Sequence, residues 1–409
     1  MEQKLREYAE LLIRVGLGLR DGQTLLLSAP VECARFARLC ATAAYDAGAR
    51  EVVLDWRDDA LDRARYLNAE DDVFDTHPAW NAHLLNDLAQ GGAASLTISA
   101  KDPEAFKGVD PERVRRAQYA RLHALAPFYG VVMKNEVPWC VASVPIPSWA
   151  KRVFPELPKR EAMSMLWDAI FDSVRITGDG KAVERWNEHL EMLETRRKKL
   201  NELRLKKLHY TNDRGTDLTV ELPEGHIWRA GRSVMSDGRT FVPNMPAEAI
   251  FTAPLKTGAN GVVISSLPLV LSGNIVDKFQ FVLRNGRIVK AFAEKGRDFL
   301  NAAISVDENA CYFGEISLVP FDSPISRRGI LYYNTLFDEN MRCHIAIGSV
   351  NPECIEGGEQ MTDEELAACG LNRSVVHTDF MIGTADLSIV GTTADGREVP
   401  VFIDGNFAL

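Results

Sequence analysis

The texture of this 409-residue chain changes near residue 205, and that change constrains the fold more than any single motif. Before it, short apolar runs at Thr24 to Ser28, Glu51 to Trp56, Ala94 to Ser99 and Cys140 to Val144 alternate with helical patterns at Glu32 to Ala47, Asp110 to Ala124 and Lys159 to Ser173. Such alternation predicts an α/β N-terminal domain, with buried strands in a mainly parallel sheet covered by helices. Asp110-Pro111 supplies an N-cap and first turn for the second of those helices. No Walker or Rossmann glycine fingerprint follows any of the strands, so nucleotide binding has little support.

A long, charged, amphipathic helix is expected from Ala182 to Leu203, after which β-branched runs separated by turn signals take over. Phe279 to Leu283 and Arg287 to Phe292 flank Asn285-Gly286, while Leu387 to Thr392 and Glu398 to Ile403 flank Asp395-Gly396. Both dipeptides suit tight hairpins because they tolerate positive φ. We therefore expect two domains: residues 1–205, ending in the linker helix, and residues 206–409, an α+β domain with antiparallel pairing.

A net charge of -10 makes nucleic acid a poor partner, since phosphate binding shows as basic excess. The basic run from Arg196 to Lys207 spreads over several helical faces, as on a solvated linker helix. Cys33, Cys40, Cys140, Cys311, Cys343, Cys354 and Cys369 make an odd set without a C-x-x-C pair, which argues against a disulfide framework or thiolate zinc site. A reducing compartment fits. With no secretory segment at Met1 to Arg6 and no apolar stretch long enough for a bilayer, a cytoplasmic protein without a membrane partner is expected.

Metal-type side chains are scattered through the last third: Glu248, Glu315, His344, His377 and Asp379. Two imidazoles and several carboxylates point to a divalent ion. In Val376-His377-Thr378-Asp379-Phe380 the histidine and aspartate are two apart, so on an extended segment they share a face and can converge. Phe313-Gly314-Glu315 and Cys343-His344-Ile345-Ala346-Ile347-Gly348 likewise set a polar group among apolar or glycine residues, where an unpaired charge is costly to bury. Hydrolysis is the natural chemistry, and the set tolerates zinc, cobalt or manganese. His77, His83, His123, His189, His209 and His226 lack partners at ligand spacing and read as structural or exposed, and the tryptophans read mostly as core. Asp338 and Glu339 suit either a turn or support behind the metals.

The segment Asn244-Met245-Pro246-Ala247-Glu248-Ala249-Ile250-Phe251-Thr252-Ala253-Pro254 resembles a signature of the aminopeptidase T and aminopeptidase S family of dinuclear metallopeptidases. Gly314-Glu315 with Ser323-Pro324-Ile325-Ser326 continues the pattern in the family's order. So do Tyr333 to Asn340, Cys343 to Gly348, Gly357-Gly358, and His377 to Gly383. The resemblance spans the C-terminal half and, more weakly, Leu5 to Ser28. It implies two ions held by Glu315, His344, His377 and Asp379, with Glu315 bridging or ligating and Glu248 a weaker candidate. It also implies a homodimer that removes N-terminal residues from short peptides, with Glu315 and Glu248 as candidate catalytic carboxylates.

Two positions depart from the family's pattern. The usual Asn-Met-Pro-Thr-Glu-Glu-Val carries two consecutive acids, where this chain has Glu248 and then Ala249. If the second acid faces the metals, one ligand is missing, and a takeover by Glu248 requires local rearrangement because neighbours on an extended segment point oppositely. The family's tyrosine seven residues after the metal histidine is replaced by Asn351, which can donate a hydrogen bond but cannot serve as a phenolic acid. Two alternatives follow. One is a mononuclear iron ring-cleaving dioxygenase on the same fold, using His344, His377 and Asp379. The other is an inactive peptide-binding relative.

Overall fold

The structure is a computed structural model that describes residues 1–100, 102, 105–271 and 274–409. It divides into two compact units, Met1–Glu188 with Arg232–Pro246, and His189–Gly231 with Ala247–Leu409. The division falls inside the helix Ala182–Leu203 rather than after it. Arg232–Pro246 returns to the first unit because Asn244–Met245 adds to the edge of its sheet.

In the first unit, β1 (Thr24–Pro30), β2 (Glu51–Arg57), β3 (Ala94–Ile98) and β4 (Trp139–Ala142) lie in the order β4-β3-β1-β2. Every pairing is parallel, including that of Asn244 opposite Val141. Central β1 buries Leu25, Leu26 and Leu27 in succession, as a strand covered on both faces must. The helices form at Ala34–Asp46, Pro111–Ala124 and Lys159–Ser173. Asp110 caps the second of them, accepting from Glu112 N at 2.9 Å. The fourth strand ends at Ala142, two residues short of the expected run.

The second unit is built on antiparallel pairing. A nine-stranded sheet contains both expected hairpins. At Asn285-Gly286 both residues have positive φ, 49° and 77°, and Arg284 pairs with Arg287, so this is a two-residue turn. At Asp395-Gly396 only the glycine has positive φ, and Thr393 pairs with Arg397 across three residues. The tight two-residue turn expected there is instead a three-residue loop closed by a left-handed glycine.

The second, five-stranded sheet carries β5 (Phe313–Leu318), β6 (His344–Gly348) and β7 (His377–Met381). Ile250–Thr252 pairs with the outer side of β5. One face of this sheet is apolar: Phe313, Ile316, Leu318, Ile345, Ile347 and Phe380 all join the core shared with the larger sheet. Phe380 anchors it, its ring 5.3 Å from Phe281, 5.7 Å from Phe279 and 6.1 Å from Phe313.

Some local expectations are corrected. Trp149, Trp186 and Trp228 are core residues, but Trp56 and Trp80 are exposed, at 41% and 72%. The basic run does not lie on one helix, since Arg204 is left-handed and Lys206 and Lys207 belong to the strand Leu205–Thr211. The cysteines are free thiols, all but Cys369 buried.

Candidate metal centre

Alternation along β5, β6 and β7 sends apolar residues to the core and leaves the opposite face for polar ones. A bulge makes this possible on β5. Phe313 pairs with Ile347 and Glu315 with Ala346, so Gly314 is the extra residue that switches faces, and Glu315 is aimed away from the core that takes Phe313. Glycine is needed there, because a Cβ would lie 2.3 Å from Ser349 O and 2.5 Å from Gly348 O. Ser317 stands on the same face and donates to Glu315 Oε1 at 2.7 Å.

The register then assembles the cluster. His344 lies opposite Ser317 on one side and Met381 on the other, and Ala346 lies between Glu315 and Asp379. His377 faces Gly348 at the far end. Glu315, His344 and Asp379 each offer a donor atom within 4.8 Å of the others. Glu315 also turns one oxygen to each imidazole: Oε1 is 3.6 Å from His344 Nε2, and Oε2 is 3.9 Å from His377 Nε2. His377 Nε2 lies 3.6 Å from Asp379 Oδ1.

Both rings are held by their other nitrogen. His344 Nδ1 lies 3.1 Å from Arg342 O, and His377 Nδ1 lies 2.8 Å from Ser349 O. A carbonyl only accepts, so each Nδ1 carries the hydrogen and each Nε2 is turned toward the carboxylates. Burial by itself depresses a histidine, yet the nearby charges win. Glu315 and Asp379 push His344 up to about 9, and Asp379 and Glu315 push His377 up to about 10. Burial pushes Asp379 upward, but His377 and His344 hold it below the usual carboxylate range.

Glu339 is the residue that the sequence reading undervalued. It is raised to about 8 by burial and by the charge of Asp379, with Glu315 adding to the effect and the two histidines opposing it, so it feels the charges of this cluster while lying outside the closely spaced donor group. Its signal was an Asp-Glu-Asn triplet in an otherwise apolar stretch, and all three residues have distinct work. Asp338 accepts from Tyr332 N at 2.8 Å and Asn334 N at 3.0 Å, and burial lifts it to about 7 against those bonds. Asn340 Oδ1 accepts from Glu248 N at 2.7 Å.

Glu248 itself is buried at 2% exposure, its Oε2 lies 3.6 Å from His189 Nε2, and it is not one of the three closely spaced donors. His189 also bonds Ala247 O at 2.8 Å, so this histidine has a partner that the sequence did not suggest. Asn351 caps the short turn Pro352–Cys354, accepting from Glu353 N at 3.1 Å. The thiol of Cys343 bonds Val319 O on the core side, which leaves the cluster to nitrogen and oxygen donors.

These residues fit a divalent ion. Asp379 Oδ1 is buried without a hydrogen-bond partner among the described residues, a costly arrangement that a cation relieves. Two Nε2 atoms and neighbouring carboxylates, with no thiolate, form the donor chemistry of hydrolytic metal sites.

Comparison with known proteins agrees with that chemistry. Residues 1–407 match the family described as thermophilic metalloprotease (M29). Aminopeptidase AmpS of Bacillus subtilis (strain 168) is 42% identical over 406 residues, covering 99% of this chain and 98% of that protein. The structure of wild-type AmpT from Thermus thermophilus superposes with a TM-score of 0.93 at 37% identity, covering all of both chains. A 2,5-dihydroxypyridine dioxygenase from Pseudomonas putida KT2440 superposes with a TM-score of 0.51 at 11% identity, over 99% of this chain and 96% of that one, a likeness of fold alone. The chain belongs to the thermophilic metalloprotease family, M29.

Proposed function

We propose that this protein is a metal-dependent aminopeptidase that removes N-terminal residues from short peptides. The observation that carries the reading is the convergence of Glu315, His344 and Asp379 on one sheet face, with Asp379 Oδ1 buried and without a hydrogen-bond partner among the described residues. In this reading Glu315, His344, His377 and Asp379 would hold the ions, two of them, with Glu315 shared between the two. Zinc, cobalt and manganese all suit the set. A divalent ion bound here polarises the peptide carbonyl and acidifies water.

The protein's own groups do the rest. Arg342 O and Ser349 O fix the imidazoles so that Nε2 faces the cluster. Glu339, held largely protonated by its surroundings, would serve as a general base only once bound cations favour its ionised form. Asn351 is committed to its cap, so no phenol acts at that position. Glu315 adds a fourth donor to the two histidines and aspartate, which supports the hydrolase over a mononuclear iron oxygenase. We further propose a cytoplasmic homodimer; among the described residues no helix is long and apolar enough to cross a membrane.

His377→Ala tests the reading through metal content and turnover of leucine p-nitroanilide. Both should be lost, and retained hydrolysis overturns the assignment.

A further inference from the structure

The two edges of the first unit's sheet are built differently. One ends in Asn244–Met245, a two-residue strand set between Pro243 and Pro246, and a short edge flanked by proline resists further pairing. The other ends in β2, whose seven residues pair in unbroken register with β1 and with no other strand among the described residues. β2 contains no proline, lysine or bulge to blunt it. Leu54 and Trp56, each 41% exposed, share one of its faces, and Tyr45 at 53% lies alongside.

One hydrogen bond shows which backbone groups of β2 face outward. Val52 N donates to the Tyr45 hydroxyl at 3.2 Å, so the Val52 amide is turned away from β1. Alternate residues of a strand turn their N–H and C=O to the same side, which puts those of Leu54 and Trp56 outward as well. A second β2 laid antiparallel with Leu54 opposite Leu54 meets all three residues: Leu54 exchanges bonds with its copy, and Val52 with Trp56. On the other face Glu51 then lies opposite Arg57, at the closely spaced non-hydrogen-bonded positions, and just beyond the strand Arg50 lies opposite Asp58. Arg57 lies 3.7 Å from Asp55, so its guanidinium already stands on the face where the second copy's Glu51 arrives. Neighbouring registers fail on charge. Centred on Val53, Glu51 meets Asp55; centred on Asp55, that carboxylate meets its own copy.

We infer that a second copy of this chain docks antiparallel on β2, centred on Leu54, and continues the sheet of the first unit into its two-fold mate. This gives the homodimer proposed above a surface and rests on that reading, not on the metal chemistry. A two-fold axis makes each contact twice, so the charge pattern fixes the register along with the partner. Self-complementarity selects a second copy over an unrelated strand, because β2 and its flanks supply both halves of each charge pair.

The test is the mass of the full-length protein across a concentration series, by sedimentation equilibrium without metal or substrate. The unmodified chain should be dimeric. Arg57→Glu sets like charges opposite each other twice and should weaken the dimer by about tenfold or more, and Glu51→Arg combined with Arg57→Glu should restore it. Leu54→Pro removes an outward N–H while keeping the bonds to β1, and should give a monomer that melts as the parent does. A monomeric parent overturns the inference and the homodimer together. A dimer that Arg57→Glu leaves unchanged, or that the double reversal fails to restore, overturns the docking surface alone, as does a folded Leu54→Pro protein that still dimerises. If Leu54→Pro does not fold, the charge reversals decide. A monomer whose β2 amides gain protection from hydrogen exchange only with an added unrelated extended peptide assigns the edge another occupant and overturns the inference too. Turnover of leucine p-nitroanilide is read separately, so its absence sinks the aminopeptidase reading without touching this one.

Discussion

Glu315 and Asp379 stand on either side of the same residue, both opposite Ala346 in the register of β5, β6 and β7. The two outer strands lie two spacings, roughly 9.6 Å, apart, and the side chains reach inward over the Ala346 methyl so that a donor atom of each comes within 4.8 Å of the other. The gap over that methyl exists because position 346 is alanine, fully buried.

Ala346→Leu should therefore fill that gap. The protein is expected to retain its fold with a loss of about 1–3 kcal/mol from overpacking. Its metal content, measured after dialysis against a metal buffer, should fall below that of the parent by tenfold or more. Undiminished metal content would show that the ions lie elsewhere.

Gly314→Ala attacks the bulge that aims Glu315. The new Cβ meets two backbone carbonyl oxygens that cannot move aside cheaply. Thermal unfolding should reveal a loss of about 1–3 kcal/mol, the usual range for overpacking, and metal affinity should fall with it. A variant as stable and as well loaded as the parent contradicts the bulge's role.

Metal binding should release protons. In the metal-free protein His344 is raised to about 9 and His377 to about 10, so both are protonated at neutral pH, and ligation displaces those protons. Calorimetry in two buffers of different ionisation enthalpy should detect the release, and affinity should weaken as pH falls. The same shifts set a stability trend without metal. Folded-state values above the ordinary 6.5 mean a stabilisation present in full below about pH 6.5 and lost as pH rises through 9 to 10. Melting in chelator should follow that slope, and His377→Ala should flatten it; an equal slope in the variant contradicts this origin.

Phe380→Ala probes the support beneath the site. The ring packs against Phe279, Phe281 and Phe313 directly behind the strand that carries His377 and Asp379. Truncation of such a ring costs about 3–5 kcal/mol. Denaturant unfolding should show it, and a loss under 1 kcal/mol would mean the sheets are not held together through this residue.

The sequence by itself determined the parallel sheet of the first unit and the antiparallel character of the second, and it pointed to four candidate donors. These are local matters: the triple-leucine run of β1, the positive-φ dipeptide at Asn285-Gly286 and the i, i+2 spacing of His377 and Asp379 are all read over a few residues. Tertiary structure alone decided the rest. Whether Glu315 faces His344 depends on one inserted residue at Gly314 and on the register of strands about thirty residues apart, and a slip of one position reverses every side chain. Which partner takes Glu248, and that the charges of Asp379 and Glu315 reach Glu339, were likewise fixed by contacts between distant segments, which local pattern does not encode.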